Sequence, residues 1–129
     1  RETLRRYSVF FEELERPFLG VCLGMRILGH CYGARIGMIA PVIGEYRVSL
    51  SGFPLCLGLS DFTVHQNHKY QLLRPLPSSL EDFTAGGNPI QAVKVRGKRQ
   101  YAVQFHPEVG ESPAQVILEN FVLMCSGRL

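Results

Sequence analysis

Cys22 stands at the centre of Gly20-Val21-Cys22-Leu23-Gly24, where an apolar run beginning at Phe18 reads as a buried strand entering a tight turn. In a Gly-x-nucleophile-x-Gly elbow the reactive residue occupies a strained strand-to-helix turn, and glycines flank it because a Cβ there would meet neighbouring backbone. A helix from about Leu23 to Tyr32 would point its N-terminus at the sulfur, and its unpaired amides and dipole favour thiolate over thiol. Taken alone the motif is short, and most unpaired cysteines are small buried hydrophobes. The other half of the chemistry comes from Tyr101-Ala102-Val103-Gln104-Phe105-His106-Pro107-Glu108. A cysteine nucleophile needs a base, and the base needs an orienting group. His106 falls at the end of an alternating strand. Pro107 restricts it to an extended conformation, so that Glu108 can turn its carboxylate toward the imidazole, fix its tautomer and stabilise the imidazolium.

The elements that must hold these groups read as α/β: an open, mostly parallel sheet flanked by helices, with a nucleophile elbow and an antiparallel hairpin. Leu4, Tyr7, Phe11 and Leu14 recur at helical spacing and predict an opening helix that Pro17 ends. Phe18 to Val21 suits a central parallel strand buried on both faces. Met25, Ile27, Leu28 and Cys31 form the stripe of the helix after the elbow, and Gly33 its left-handed cap. From Ala34 to Gly58 the pattern weakens, with Tyr46 to Leu50 alternating as a half-exposed strand. Phe62 to Gln66 predicts another strand, which Asn67-His68-Lys69 leaves as a loop. Ile90 to Val95 and Tyr101 to Phe105 predict a hairpin whose second strand turns Tyr101, Val103 and Phe105 to one face and Ala102, Gln104 and His106 to the other. At the C-terminal end, Ser112 as N-cap, Pro113 at the first helical position and Gln115 as capping-box partner open a helix striped by Val116, Ile117, Phe121 and Met124 and stopped at Gly127.

With 129 residues and 46% hydrophobic character, the chain has the makings of one domain, residues 1–129, and too little for two. No apolar run approaches the about 20 residues needed to cross a bilayer, and Arg1-Glu2-Thr3-Leu4-Arg5-Arg6 lacks the apolar core of a signal peptide. The expectation is a soluble, cytoplasmic protein with no membrane contact. Cys22, Cys31, Cys56 and Cys125 are widely spaced, which suggests reduced thiols rather than a disulfide framework or a zinc site. His65 and His68 have no third ligand nearby in sequence, so neither a metal nor another cofactor is expected. The net charge of +3 is mild, and its dense cluster, Arg96-Gly97-Lys98-Arg99, reads as a solvated hairpin tip rather than a nucleic-acid patch.

Two motifs carry a family resemblance. Pro17-Phe18-Leu19-Gly20-Val21-Cys22-Leu23-Gly24-Met25, followed by Val103-Gln104-Phe105-His106-Pro107-Glu108-Val109, resembles the class I, or triad, glutamine amidotransferases. The hairpin from Pro89 to Val109 and the ending Ile117-Leu118-Glu119-Asn120-Phe121 are most similar to the amidotransferase part of GMP synthase, whereas Gln66-Asn67-His68 is similar to the carbamoyl-phosphate synthase small chain. The resemblance implies that Cys22 attacks the side-chain amide of glutamine, forms a glutamyl thioester and releases ammonia to a synthetase partner. His106 would be general base and acid and Glu108 its orienter, in an elbow framed by Gly20 and Gly24. The backbone amide of Leu23 would supply half of the oxyanion hole, and a loop at Asn67 would touch glutamine.

The family usually carries glutamine two residues after the Gly24 position, contacting substrate, where this chain has Arg26. The resemblance covers about the C-terminal two-thirds of a typical domain. The strands and glycine-rich loop that open the family domain, and donate its second oxyanion amide, have no counterpart in these 129 residues. Three readings follow: a glutaminase module feeding a synthetase, a thiol hydrolase of another γ-glutamyl compound suggested by Arg26, or an impaired remnant. Loss of one oxyanion donor costs roughly 10²–10³ in turnover, so the chain by itself is expected to hydrolyse glutamine poorly or not at all.

Overall fold

The computed structural model describes residues 2–129. Helix α1 (Glu2–Glu13) leads into strand β1 (Phe18–Val21), helix α2 (Leu23–Cys31) and a long hairpin of β2 (Ile36–Ser49) and β3 (Asp61–Leu72). Strands β4 (Leu80–Asp82), β5 (Ala92–Val95) and β6 (Gln100–Val103) and helix α3 (Gln115–Cys125) complete it. Among the described residues the main sheet has the order β1-β6-β5-β4, with β2 and β3 forming a separate two-stranded sheet. The α/β architecture stands, but the sheet is mixed: β1 runs parallel to β6, while β5 pairs antiparallel with both β6 and β4. The reason is connectivity, because a tight turn joins β5 to β6 and the stretch between β4 and β5 is also too short for the crossover that parallel neighbours need.

The two-residue period of β5 and β6 divides the interior in two. On one face Ala92, Tyr101, Val103 and Phe105 pack with Phe62, Val64, Leu55 and Ile117, which brings the loop end of the long hairpin and α3 onto the sheet. On the other, Val93, Val95 and Ala102 pack with Phe11, Met25 and Leu28 from α1 and α2. The expected alternation of the second hairpin strand is therefore the division between two cores. In α1 the expected stripe is only partly used: Phe11 is 2% exposed, but Leu4 and Tyr7 are 36% and 41% exposed.

The long hairpin departs most from expectation. Asn67, His68 and Lys69 belong to β3, not to a loop, and pair with β2 through Val42↔His68 and Ile43↔Asn67. The weakly patterned stretch after Ala34 is likewise a 14-residue strand, with a register shift between Met38 and Val42. Neither strand shows a long apolar alternation, because the middle of the hairpin covers no core.

The basic hairpin tip is exposed at Arg96, Gly97 and Arg99, as expected, and it also contacts the chain around the end of α1. Lys98 Nζ donates to the Glu12 carbonyl at 2.7 Å and so caps the C-terminal end of α1, while Arg99 donates to the Glu15 carbonyl just beyond it at 3.0 Å. An isolated helix end would leave its last carbonyls unpaired and carries partial negative charge. In the last helix, Ser112 Oγ accepts from the Ala114 amide at 3.0 Å, but Gln115 donates to the Gly110 carbonyl instead of closing a capping box. Gly127, at φ 71°, stops α3 with bonds from Gly127 N to Met124 O and from Arg128 N to Leu123 O.

Gln100, fully buried, ties these parts together: its Nε2 donates to the Phe11 carbonyl at 2.6 Å and its Oε1 accepts from the Tyr32 hydroxyl at 2.7 Å. Gln100→Leu is expected to destabilise the protein by roughly 2–4 kcal/mol in urea denaturation, because two polar partners lose their bonds together, and Tyr32→Phe by about 1 kcal/mol. A Gln100→Leu loss no larger than that of Tyr32→Phe would show that the Phe11 carbonyl finds another donor.

Candidate active site

The elbow forms where β1 ends. Cys22 takes φ 55° and ψ −100°, a conformation costly for a residue with a side chain, and holds it between two hydrogen bonds. Its N–H donates to Val103 O on β6 at 2.8 Å, and its carbonyl accepts from the Arg26 amide at 3.2 Å. A Cβ on Gly20 would lie 2.8 Å from the Gly24 carbonyl carbon and 2.9 Å from its oxygen, both backbone atoms that cannot swing aside. At Gly24 a Cβ would meet nothing within 4 Å. The expected pair of obligatory glycines is thus one: Gly20 must be small so that strand and helix can close on each other.

His106 is carried past the end of β6. Its backbone N–H donates to His65 O on β3 at 2.9 Å, and its Nδ1 lies 2.8 Å from Glu108 Oε2. The expected His106–Glu108 contact is made. The parallel pairing of β1 and β6 brings Cys22 and His106 to the same, carboxyl, end of the sheet, where open α/β sheets place their sites. Among the described residues the hydrogen-bond partners of Cys22 Sγ are Asn67 O, which accepts at 3.6 Å, and Gln104 Nε2, which donates at 3.7 Å. His106 is not one of them.

Burial pushes the Cys22 thiol up from its ordinary value. The Leu23 backbone amide and the Arg26 charge pull it down, as the expected helix N-terminus would, and the Glu108 charge pushes it up again. Desolvation is the largest of these effects, so the resting sulfur is a thiol donating to Asn67 O, not the preformed thiolate expected from the helix alone. Cys56, buried in the core with no charge to offset burial, is pushed up to about 11.

The sulfur opens on a pocket of about 450 Å³, within the usual range for a small-molecule site. Leu23, Arg26 and Gln104 line it from the sheet side, and Pro41, Ile43, Asn67 and Tyr70 from the long hairpin. Arg26 does face the pocket: its guanidinium carbon lies 4.5 Å from the centroid of the Tyr70 ring. Asn67 lines it as a strand residue that offers its carbonyl to the sulfur. His68 is also there, held by Tyr70 O at 3.1 Å and Gln66 Oε1 at 2.9 Å, and burial pushes its pKa below the usual histidine value. Gln66 continues inward to Gln91 at 3.0 Å. No group of three or more metal-ligating side chains occurs among the described residues.

Gln104 and Tyr70 are the participants that sequence reasoning missed. Gln104, 3% exposed, shares a face with Ala102 and His106, a signal the alternation already contained. Its aim at the sulfur, however, depends on β1 lying beside β6.

The family model described as glutamine amidotransferase class-I matches residues 2–125. The chain is 30% identical over 115 residues to a GMP synthase (glutamine-hydrolyzing) subunit of Ignicoccus hospitalis, covering 86% of the chain and 61% of that protein. It is 35% identical over 124 residues to anthranilate synthase component 2 of Methanothermobacter marburgensis, covering 91% of the chain and 62% of that protein. A Thermoplasma acidophilum structure, described provisionally as that of a GMP synthase subunit, superposes with a TM-score of 0.85 at 25% identity, covering 98% of this chain and 65% of that one. The chain thus spans about three-fifths of the length of these two curated relatives.

Two expectations test the elbow and the thiol. Gly20→Ala should destabilise by roughly 1–3 kcal/mol through overpacking against backbone. Gly24→Ala should be neutral or stabilising by up to about 1 kcal/mol, since alanine favours the helix; equal costs in chemical denaturation would contradict the asymmetry. The pH midpoint of Cys22 alkylation, read by peptide mass spectrometry, should lie above that of an ordinary thiol. Arg26→Gln should move it further up by removing a cation that favours the thiolate, and Glu108→Gln should move it down by removing an anion that opposes it. Shifts of the same sign in both variants would refute this electrostatic account.

Proposed function

The chain belongs to the class-I glutamine amidotransferase family, and from that membership we propose that it hydrolyses the side-chain amide of glutamine through a Cys22 thioester and delivers the ammonia to a synthetase domain or subunit. The observation that carries this reading is the strained Cys22 elbow on β1 beside the strand that leads to the His106–Glu108 pair, all at one end of the sheet. Because burial keeps the resting sulfur protonated, its proton leaves as it attacks and not beforehand. The sulfur bonds to the amide carbon while His106 Nε2 takes the thiol proton, Nδ1 being engaged by Glu108. The oxyanion that forms is met by the Leu23 amide at the N-terminus of α2. Collapse breaks the carbon–nitrogen bond, and His106 returns the proton to the leaving nitrogen as ammonia. Water, deprotonated by His106, then attacks the thioester and releases glutamate and the Cys22 thiol.

The acceptor reading rests on the names of the relatives: one is a subunit of GMP synthase and another is component 2 of anthranilate synthase, both parts of larger synthases. GMP synthase recurs among them, in Ignicoccus hospitalis and in Methanococcus maripaludis alike, which favours a nucleotide-biosynthetic partner. A second reading, a thiol hydrolase acting on a substrate other than glutamine, is favoured by Arg26 in the pocket.

Glutamate release from glutamine should vanish in Cys22→Ala and fall by about 10²–10⁴ in kcat in His106→Ala. Acid quenching followed by mass spectrometry should find a glutamyl adduct on Cys22 even where turnover is slow. Glutamate release that persists in Cys22→Ala would end the proposal.

A further inference from the structure

Arg26 sits one helical turn after Cys22, lines the same pocket, and is near enough for its charge to favour the thiolate. It is fixed there by the Tyr70 ring, at 4.5 Å, and Tyr70 is in turn fixed by its pairing with Met38 across the long hairpin. The pocket contains a second cation, Lys69, and among the described residues no aspartate or glutamate lines it. The nearby carboxylate of Glu108 is engaged by His106 at 2.8 Å. A ligand entering this pocket therefore meets positive charge beside the thiol and no side-chain anion on its walls.

Free glutamine has two charged groups on the carbon at the far end from its amide. Its carboxylate suits the pocket, since a guanidinium fork binds a carboxylate through two parallel hydrogen bonds. Its ammonium does not, because two cations held within a few ångströms in a partly desolvated site repel each other, and the guanidinium offers no acceptor. We propose that Arg26, stacked on Tyr70 beside Cys22, makes this site select ω-carboxamides whose far end carries a carboxylate and no ammonium, the monoamides of dicarboxylic acids, over free glutamine. This rests on the reading of Cys22 as a thiol hydrolase and departs from γ-glutamyl substrates, which carry the same ammonium as glutamine. The covalent steps are unchanged: sulfur bonds to the amide carbon, ammonia leaves with a proton from His106, and water releases the dicarboxylate.

The test pairs glutamine with glutaramate, the same molecule without its amino group. Binding is read as protection of Cys22 from alkylation, and turnover as ammonia release. In the native protein glutaramate should protect at about tenfold lower concentration than glutamine and be hydrolysed with a kcat/KM at least about tenfold higher. Arg26→Gln should collapse that ratio toward one, chiefly by improving glutamine, whereas Arg26→Lys, which keeps the charge, should preserve most of it. Equal protection by the two amides in the native protein, or a ratio unchanged in Arg26→Gln, overturns the proposal. Absence of any acyl adduct on Cys22 with either amide would defeat the hydrolase reading separately, since the protection assay ranks the ligands without turnover.

Discussion

The pairing of β1 with β6 is the constraint on which the site depends. It supplies the acceptor for the Cys22 amide, Val103 O at 2.8 Å, and so holds a residue with a side chain at φ 55°. The same pairing sets Gln104 beside the sulfur and carries His106 to the same end of the sheet. It leaves room for α2 to turn back at once only because Gly20 has no side chain: a single carbon there would stand 2.8 Å from the backbone of Gly24. Strain at the nucleophile is therefore held in place by a ladder and a close approach, both of them backbone features.

That placement has an electrostatic consequence. Bringing the thiol into the angle between sheet and helix removes water from it, and the loss of hydration, with the Glu108 charge, outweighs the helix amide and the Arg26 charge. The sulfur is partnered on both sides, by an acceptor on β3 and by a donor on the chain following β6. Asn67 O suits the protonated form and Gln104 Nε2 the ionised one, so the site holds a partner for each state of the thiol.

The long hairpin makes the pocket one-sided. Its loop end is anchored by Val48, Phe62 and Val64 in one core and its open end by Leu72 in the other, which leaves the middle free to stand over the sulfur. There the inward side chains are polar and satisfy one another, from His68 through Gln66 to Gln91. A buried polar chain of this kind is stable only when its members are paired. This explains how β3 can run through Gln66, Asn67 and His68 without an apolar pattern to announce it.

Local sequence determined much of this protein. Glycine before a cysteine, an apolar run into it and a helical stripe after it specify an elbow from neighbouring residues alone, and His106-Pro107-Glu108 specifies a short, stiff contact within three residues. Alternation in the second hairpin strand likewise announced the two cores, because period-2 burial is a local property. Tertiary structure decided the rest, for reasons of distance along the chain. That Gly24 is unconstrained while Gly20 is not depends on which backbone passes nearby. That Lys98 and Arg99, on an exposed turn, also bond carbonyls at and just beyond the end of α1 depends on a helix more than 80 residues earlier. That Arg26 meets Tyr70, and that the sulfur finds an acceptor in Asn67 O, depends on the hairpin standing over the elbow. Sequence states which groups are available and how the nearest ones must turn; only the fold sets which distant groups share a dielectric, and hence which charge and which proton state the thiol keeps.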